Sequence, residues 1–242
     1  MKMDARIFPD LDALSRGALE ELLRIGQDAV KVRGRFVVAL AGGHTPAELY
    51  ALWALPDERT IHIPWDRVHL FWGDERYVPH DDPLSNYRMV RETLIARVPI
   101  PTTNVHPMPT ALAQAEKCAE AYESELRKFF GEEPPAFDLQ LLGLGTEGHT
   151  ASLFPGSRAL EEKQRWVMAV KAQAKPSQRL TLTPVILNHG RNTFFLVAGA
   201  DKRPIIAALR SQAAPNDNSR YPVDAIRPSG RVLWFLDEAA AG

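Results

Sequence analysis

The sequence has almost no cysteine. Cys118 is the single cysteine among 242 residues, and it lies in a segment with a helical pattern. A disulfide framework and a cysteine-based metal centre are therefore excluded. We expect the protein to work in a reducing compartment, the cytoplasm.

Net charge and long hydrophobic runs are missing as well. The 29 basic residues nearly balance the 30 acidic residues, which leaves a formal net charge of -1. No overall positive field is present to attract nucleic acid or an anionic membrane, so an anion must be bound by a local cluster. Residues 1–8 have no apolar run behind their charges, and the apolar stretch 194–200 is too short to span a bilayer. We expect a soluble protein with neither nucleic acid nor a membrane as a partner.

Hydrophobic residues make up 45% of the chain, enough for a sizeable core in a single domain over residues 1–242, with room for a small subsidiary lobe. Apolar spacing predicts helices that alternate with short buried strands. The predicted helices cover residues 10–32, 47–55, 86–96, 111–130, 184–189 and 203–209, and the predicted strands cover 36–41, 68–72, 138–142, 166–170, 192–198 and 232–236.

This alternation predicts an α/β fold with a mostly parallel, doubly wound, Rossmann-like sheet and helices on both of its faces. Residues 98–109 contain four prolines, which predicts an irregular connector and makes this segment the best candidate for a lobe boundary. In such sheets ligands lie at the carboxyl ends of the strands. The loops that follow the strands are therefore expected to converge on one crevice.

The first such loop is Gly42-Gly43-His44-Thr45-Pro46, between a predicted strand and a predicted helix. We expect Thr45 to be the N-cap and Pro46 the first helical residue, so that free backbone N–H groups attract phosphate or carboxylate. The spacing matches neither a nucleotide P-loop nor a dinucleotide fingerprint, which favours a small phosphoester. The alternative is a well-capped turn without a ligand.

Two further loops carry charged or polar side chains. Gly73-Asp74-Glu75-Arg76 follows the predicted strand 68–72, and the stretch 138–156 supplies Glu147 and His149 among three glycines, Gly143, Gly145 and Gly148. Glycines let the backbone approach a ligand closely, and an imidazole is a base near neutral pH. The alternatives are solvated loop charges and an incidental surface histidine.

Six segments, taken in order, resemble the 6-phosphogluconolactonase family of the glucosamine-6-phosphate isomerase/6-phosphogluconolactonase superfamily. They are Gly42-Gly43-His44-Thr45-Pro46, Gly73-Asp74-Glu75-Arg76, Ser85-Asn86-Tyr87, the stretch 142–155, Arg179-Leu180-Thr181-Leu182-Thr183 and Gly199-Ala200-Asp201-Lys202. The sequence departs from the family at two positions, because the family usually has aspartate in place of Glu147 and commonly serine in place of His44. The first departure bears on how far the carboxylate reaches. The second bears on whether a side-chain hydroxyl helps to hold the phosphate.

The resemblance implies hydrolysis of 6-phospho-D-glucono-1,5-lactone without a metal or an organic cofactor. It implies His149 as the general base, Glu147 as the group that orients or charges the imidazole, and backbone N–H groups of the central glycine loop as oxyanion donors. The resemblance also implies substrate contacts. Those at the phosphate are Gly42, Gly43, His44, Thr45, Arg76, Arg179 and Lys202. Asp74 and Asn86 are implied to contact sugar hydroxyls or to support the loop.

Two other functions remain open. The related isomerase/deaminase that acts on glucosamine 6-phosphate shares the fold, but it continues after Gly-His with Asn-Glu-Pro, whose glutamate pairs with the histidine. This chain has Leu153-Phe154-Pro155 there, and phenylalanine cannot exchange a proton. A non-catalytic sugar-phosphate sensor would keep a phosphate loop but would not need an acid and a histidine in the central loop.

Overall fold

The computed structural model of the protein describes residues 3–55, 63–131, 135–211 and 221–242. The strands are β1 (Ala5–Phe8), β2 (Phe36–Leu40), β3 (Val68–Trp72), β4 (Asp74–Arg76), β5 (Val105–His106), β6 (Leu139–Leu142), β7 (Val167–Lys171), β8 (Gln178–Leu182), β9 (Asn192–Val197) and β10 (Arg231–Asp237). The helices are α1 (Leu11–Arg33), α2 (His44–Trp53), α3 (Asn86–Thr93), α4 (Ala115–Phe130), α5 (Pro184–Leu187), α6 (Arg203–Ser211) and α7 (Glu238–Ala241).

Seven strands form one large sheet in the order β1-β10-β9-β6-β2-β3-β5. Every neighbouring pair in it is parallel. All residues of β2 and β6 are buried, which requires cover on both faces of the sheet because successive side chains point to opposite faces. The prediction of a mostly parallel α/β sheet is confirmed.

A second, small sheet has the order β4-β8-β7, and both of its strand pairs are antiparallel. The chain passes from β3 through Gly73 directly into β4, so the small sheet extends from the carboxyl end of a large-sheet strand. The expected subsidiary lobe therefore exists, but its position was predicted wrongly. Residues 98–109 are not a lobe boundary, because they include β5, which pairs with β3 at the edge of the large sheet.

Some predicted details are wrong at the element ends. Helix α2 begins at His44, and Gly43 is its N-cap with a φ of 103°, so Thr45 and Pro46 lie inside the first turn. The positive φ of Gly43 turns the chain two residues earlier than Thr45 could, because glycine alone adopts that backbone conformation freely. The sequence analysis also missed β1, a four-residue edge strand that is only partly buried. Residues 1 and 2 of the stretch 1–8 lie outside the described residues.

A buried carboxylate stabilises the amino edge of the large sheet, opposite the carboxyl ends of the strands. Asp138, which precedes β6, accepts a hydrogen bond from the backbone N–H of Val37 at 2.9 Å and pairs with Arg33 at 2.7 Å. Within the four described ranges, no helix is both long enough and apolar enough to cross a bilayer.

Two histidines stack at the β3–β5 edge of the sheet. His69 Nδ1 lies 3.3 Å from His106 Nε2, and His106 Nδ1 lies 2.8 Å from Glu125 Oε1. Burial lowers the pKa of His69 to about 4, with the neighbouring His106 and Arg35 acting in the same direction. His69 is therefore neutral in the folded protein at neutral pH.

This pKa predicts a loss of stability in acid. The unfolded chain binds a proton at His69 from about pH 6.5 downwards, whereas the folded protein does so only near pH 4, so the free energy of unfolding falls as the pH drops through this window. Thermal unfolding at pH 7 and pH 5 should give a smaller drop in Tm for His69→Asn than for the wild type. His189→Asn, which removes an exposed imidazole, is the control and should keep the wild-type drop. An equal drop in His69→Asn would contradict the assignment.

Candidate active site

A cavity of about 1240 Å³ lies at the carboxyl edge of the large sheet, and the small sheet closes one side of it. The structure brings together in its wall every side chain and glycine predicted for the site. These residues are Gly42, Gly43, His44, Thr45, Asp74, Arg76, Asn86, Glu147, His149, Arg179 and Lys202.

The turn between β2 and α2 presents backbone rather than side chains to the cavity. No side chain of the described residues caps the first turn of α2, so its leading N–H groups are open to a ligand. Gly42 has to be a glycine, because a Cβ at this position would lie 1.9 Å from Asn86 Oδ1. His44 is exposed at the first helical position.

The central loop after β6 is folded on itself by its own backbone. The N–H of Gly145 donates to the carbonyl of His149 at 2.8 Å, and the N–H of Gly148 donates to the carbonyl of Gly145 at 3.0 Å. These two N–H groups already have partners, so the predicted oxyanion donors of this loop would have to be other N–H groups or exchange these bonds. The carbonyl of Gly148 in turn accepts from the N–H of Val223 at 2.9 Å, which attaches the loop to a neighbouring segment.

His149 lies between a carboxylate and an aromatic ring. Its Nδ1 is 3.0 Å from Glu147 Oε1, a close contact that is not counted as a hydrogen bond. Partial burial disfavours the Glu147 carboxylate, but its own backbone N–H and His149 outweigh that effect and lower the pKa of Glu147. The ring of Phe154 is 4.7 Å from the imidazole, centroid to centroid. Glutamate, although longer than the aspartate usual in the family, still reaches the imidazole.

Asp74 is held by two neighbours at the start of the small sheet. Its Oδ2 accepts from the Ser152 hydroxyl at 2.6 Å. Asn86 donates from Nδ2 to the Asp74 carbonyl at 2.9 Å and makes a longer contact of 3.4 Å with Asp74 Oδ1. Asn86 Oδ1 is buried and has no hydrogen-bond partner among the described residues.

The cationic side chains of the cavity differ in whether they already have a partner within the protein. Arg179 is 7% exposed, and its Nε and Nη1 are buried without a hydrogen-bond partner in the described part of the chain. It lies directly opposite Arg76 in the β4–β8 register. Burial, and then the charge of Arg76, lower the pKa of Arg179. Lys202, in contrast, already pairs with Asp201 at 3.1 Å.

Sequence reasoning missed several residues that contribute to the site. Ser152, Lys171 and Asp237 also line the cavity, and Glu75 supports it from behind. Ser152 stands inside the central motif and Asp237 directly follows the predicted strand 232–236, so position alone could have indicated both. Lys171 could not have been found, because its place depends on the antiparallel pairing of β7 with β8. No group of three or more His, Cys, Asp and Glu side chains within residues 3–55, 63–131, 135–211 and 221–242 is arranged to hold a metal ion.

The fold and the cavity define an α/β protein with a ligand site beyond the carboxyl ends of a parallel sheet. The family model for glucosamine-6-phosphate isomerases/6-phosphogluconolactonase matches residues 9–234. The 6-phosphogluconolactonase of Nostoc sp. is 41% identical, covering 99% of this chain and 98% of the relative. That of Synechocystis sp. is 45% identical, covering 88% and 86%.

A solved structure gives the same result. The 6-phosphogluconolactonase of Trypanosoma brucei superposes with a TM-score of 0.86 at 32% identity and covers 99% of this chain and 98% of its own. The chain therefore belongs to the glucosamine-6-phosphate isomerase/6-phosphogluconolactonase family.

The contact between Gly145 and the imidazole yields a test of the loop. A Cβ at Gly145 would lie 2.0 Å from His149 Nδ1, whereas one at Gly143 would meet nothing within 4 Å. Gly145→Ala should displace the imidazole and lower the free energy of unfolding by about 1–3 kcal/mol, the usual effect of overpacking. Gly143→Ala, in the same loop, should change stability by less than about 1 kcal/mol. Urea unfolding measures both, and equal stabilities would refute the contact.

Proposed function

We propose that this protein hydrolyses 6-phospho-D-glucono-1,5-lactone to 6-phospho-D-gluconate, the second step of the oxidative pentose phosphate pathway. The observation that carries the proposal is the pairing, in one cavity, of an imidazole beside a carboxylate with a buried guanidinium that lacks a partner. The first is suited to activating water and the second to binding the phosphate. The family relatives described above are named for this activity.

Arg179 is the principal phosphate ligand in this proposal. Two nitrogens without partners, Nε and Nη1 of a buried cation, leave hydrogen-bonding capacity unused, which is unfavourable until an anion arrives. Arg76, directly opposite, adds like charge and strengthens the preference for a dianion. The open N–H groups at the start of α2, with Gly42, Gly43, His44 and Thr45, lie in the same wall and favour negative charge. Lys202 contributes less because Asp201 already neutralises part of its charge.

His149 is the general base. It takes a proton from a water molecule while the water oxygen bonds to the lactone carbonyl carbon. The tetrahedral intermediate then breaks the bond to the ring oxygen, the imidazolium returns its proton to that oxygen, and the acid formed ionises to 6-phosphogluconate. Glu147, 3.0 Å from the imidazole, stabilises the imidazolium in between. Asp74 and Asn86 contact the sugar hydroxyls.

Phe154 favours hydrolysis over the isomerase/deaminase reaction. Its ring lies against the imidazole at the position where that related enzyme has the glutamate that pairs with its histidine. An apolar ring there supplies no proton for opening a sugar ring. A sensor without catalysis would not account for the contact between Glu147 and His149.

The proposal extends to the rest of the chain. We infer that residues 1–242 act as a single catalytic domain, because both sheets contribute side chains to one cavity. We place the reaction in the cytoplasm, where a lone cysteine such as Cys118 stays reduced. The substrate is the only partner that the proposal needs.

Removal of the imidazole tests the general base. His149→Ala should lower kcat by roughly 10²–10⁴-fold, the usual contribution of a general base, with a much smaller change in KM. A stopped-flow lactonase assay corrected for spontaneous hydrolysis measures both constants. Turnover close to that of the wild type would remove His149 from this role.

Removal of the guanidinium tests the phosphate site. Arg179→Ala should raise KM for the phosphorylated lactone roughly 10–100-fold, since each hydrogen bond to a charged group contributes about 1.5–3 kcal/mol. Hydrolysis of unphosphorylated glucono-1,5-lactone is the internal control and should not change. The Tm of the free protein should not fall, because the variant removes a buried charge without a partner. A similar loss on both lactones would mean that the phosphate binds elsewhere.

A further inference from the structure

Glu75 lies behind the cavity wall and has no role in the chemistry described so far. It is the middle residue of β4, between Asp74 and Arg76, which both line the cavity. Because side chains alternate along a strand, the Glu75 carboxylate points to the opposite side. It is 1% exposed. A carboxylate buried this deeply is unfavourable unless its oxygens are satisfied.

The hydrogen bonds of Glu75 join β4 to the start of α3. Its Oε1 accepts from the backbone N–H groups of Arg76 and Asn86, both at 2.7 Å. Its Oε2 accepts from the backbone N–H of Tyr87 at 2.7 Å and from the Ser85 hydroxyl at 3.2 Å. Asn86 and Tyr87 are the first two residues of α3, where helical N–H groups have no partner within the helix and favour a negative charge.

The anchored turn carries a side chain of the site. Asn86 uses its amide to contact Asp74 and fits against Gly42, where no side chain could be accommodated. The position of Asn86 therefore determines the distance between the β2–α2 turn and β4. Glu75 does not line the cavity. It can affect the cavity only through the positions of Asn86 and Asp74.

We propose that Glu75 is a positioning residue of the substrate site, and that its ionised carboxylate fixes the first turn of α3 so that Asn86 and Asp74 are placed for the substrate. The ionised form is required because both oxygens accept hydrogen bonds from N–H groups. Protonation turns one oxygen into a donor, which opposes the N–H groups that point at it. The inference rests on the proposed function, because it assigns Glu75 to the substrate of that reaction.

The surroundings of Glu75 place its titration near neutral pH. Burial raises the pKa of Glu75 to about 7 against the backbone N–H groups, which lower it. The titratable and charged groups that face it come from β4, β8 and α4 and are Asp74, Arg76, Arg179 and Tyr122. Substrate binding should therefore weaken as the pH falls through about 7.

Stability changes in the opposite direction with pH. The folded protein holds the Glu75 proton up to about pH 7, whereas the unfolded chain releases it near 4.5. The contribution of Glu75 to the free energy of unfolding therefore decreases as the pH rises between these values. Weaker binding at pH 6 than at pH 8.5 thus cannot arise from unfolding driven by this group.

The experiment compares Glu75→Gln with the wild type by calorimetric binding of 6-phosphogluconate from pH 6 to pH 8.5. At pH 8.5 the variant should bind roughly 10–100-fold more weakly, since its amide turns a donor towards the N–H groups. The ratio of the two Kd values should approach one at pH 6. Because every other titrating group is common to both proteins, the ratio isolates Glu75. A ratio that stays within twofold of one at pH 8.5 would overturn the proposal.

Asp138→Asn is the matched control. Asp138 is also a buried carboxylate that accepts a backbone N–H, but it lies at the amino edge of the sheet. This variant should lower Tm and leave the Kd for 6-phosphogluconate unchanged at every pH. If Asp138→Asn weakened binding as much as Glu75→Gln does, the effect would be a general loss of stability and the proposal would fail.

A measurement on the wild type applies even if Glu75→Gln does not fold. The amide resonances of Arg76, Asn86 and Tyr87 should shift together near pH 7, in step with the affinity for 6-phosphogluconate. Amide shifts that are flat between pH 6 and 8.5 would overturn the proposal. Failure of the proposed function gives a different result, because the wild type would then neither bind 6-phosphogluconate nor hydrolyse the lactone at any pH.

Discussion

A parallel sheet that is covered on both faces leaves only the ends of its strands accessible to a ligand, and this constraint fixes the position of the cavity. The strands β2 and β6 are buried along their full length. The chain leaves their carboxyl ends through Gly42 and Gly143, which lie on the same edge of the sheet. Backbone turns, and not buried side chains, form this edge. The small sheet then approaches this edge from the end of β3 and brings Arg76 and Arg179 against the turns.

The charges of the cavity are arranged so that the empty site is electrostatically unfavourable. Arg76 and Arg179 oppose each other across two antiparallel strands, a pairing of like charges that destabilises a sheet. Asp74, the nearest cavity carboxylate on these strands, is already bonded to Ser152. In the proposed function, the phosphate dianion relieves this repulsion and accepts hydrogen bonds from the unused donors of Arg179.

Much of this arrangement could be predicted from the sequence, because parallel strands and their loops are local patterns. The strand 68–72 has the predicted bounds, and all eleven predicted site residues lie in the cavity wall, although Ser152, Lys171 and Asp237 were not predicted there. The small antiparallel sheet was not, since the pairing of β4 with β8 joins residues about a hundred positions apart and leaves no periodic signal. Strands β1 and β5 were missed because both are short and lie at sheet edges, where burial is partial. Glu75 was recognised from the sequence only as one of several loop charges. Its side chain points away from the cavity because side chains alternate along β4, and β4 was not predicted as a strand.

The side chains next to His149 decide which reaction the fold supports. Glu147 is exposed and lies 3.0 Å from the imidazole, while the ring of Phe154 packs against the same imidazole. A base for water needs one proton acceptor and a counter-charge for the imidazolium, and in the proposed mechanism His149 and Glu147 fill these two roles. A sugar-ring opening needs a second proton-exchanging group across the imidazole, which Phe154 replaces. The imidazole packs against Gly145, where a Cβ would lie 2.0 Å from its Nδ1, so the loop holds His149 between Glu147 and Phe154, an arrangement that favours the proposed hydrolysis.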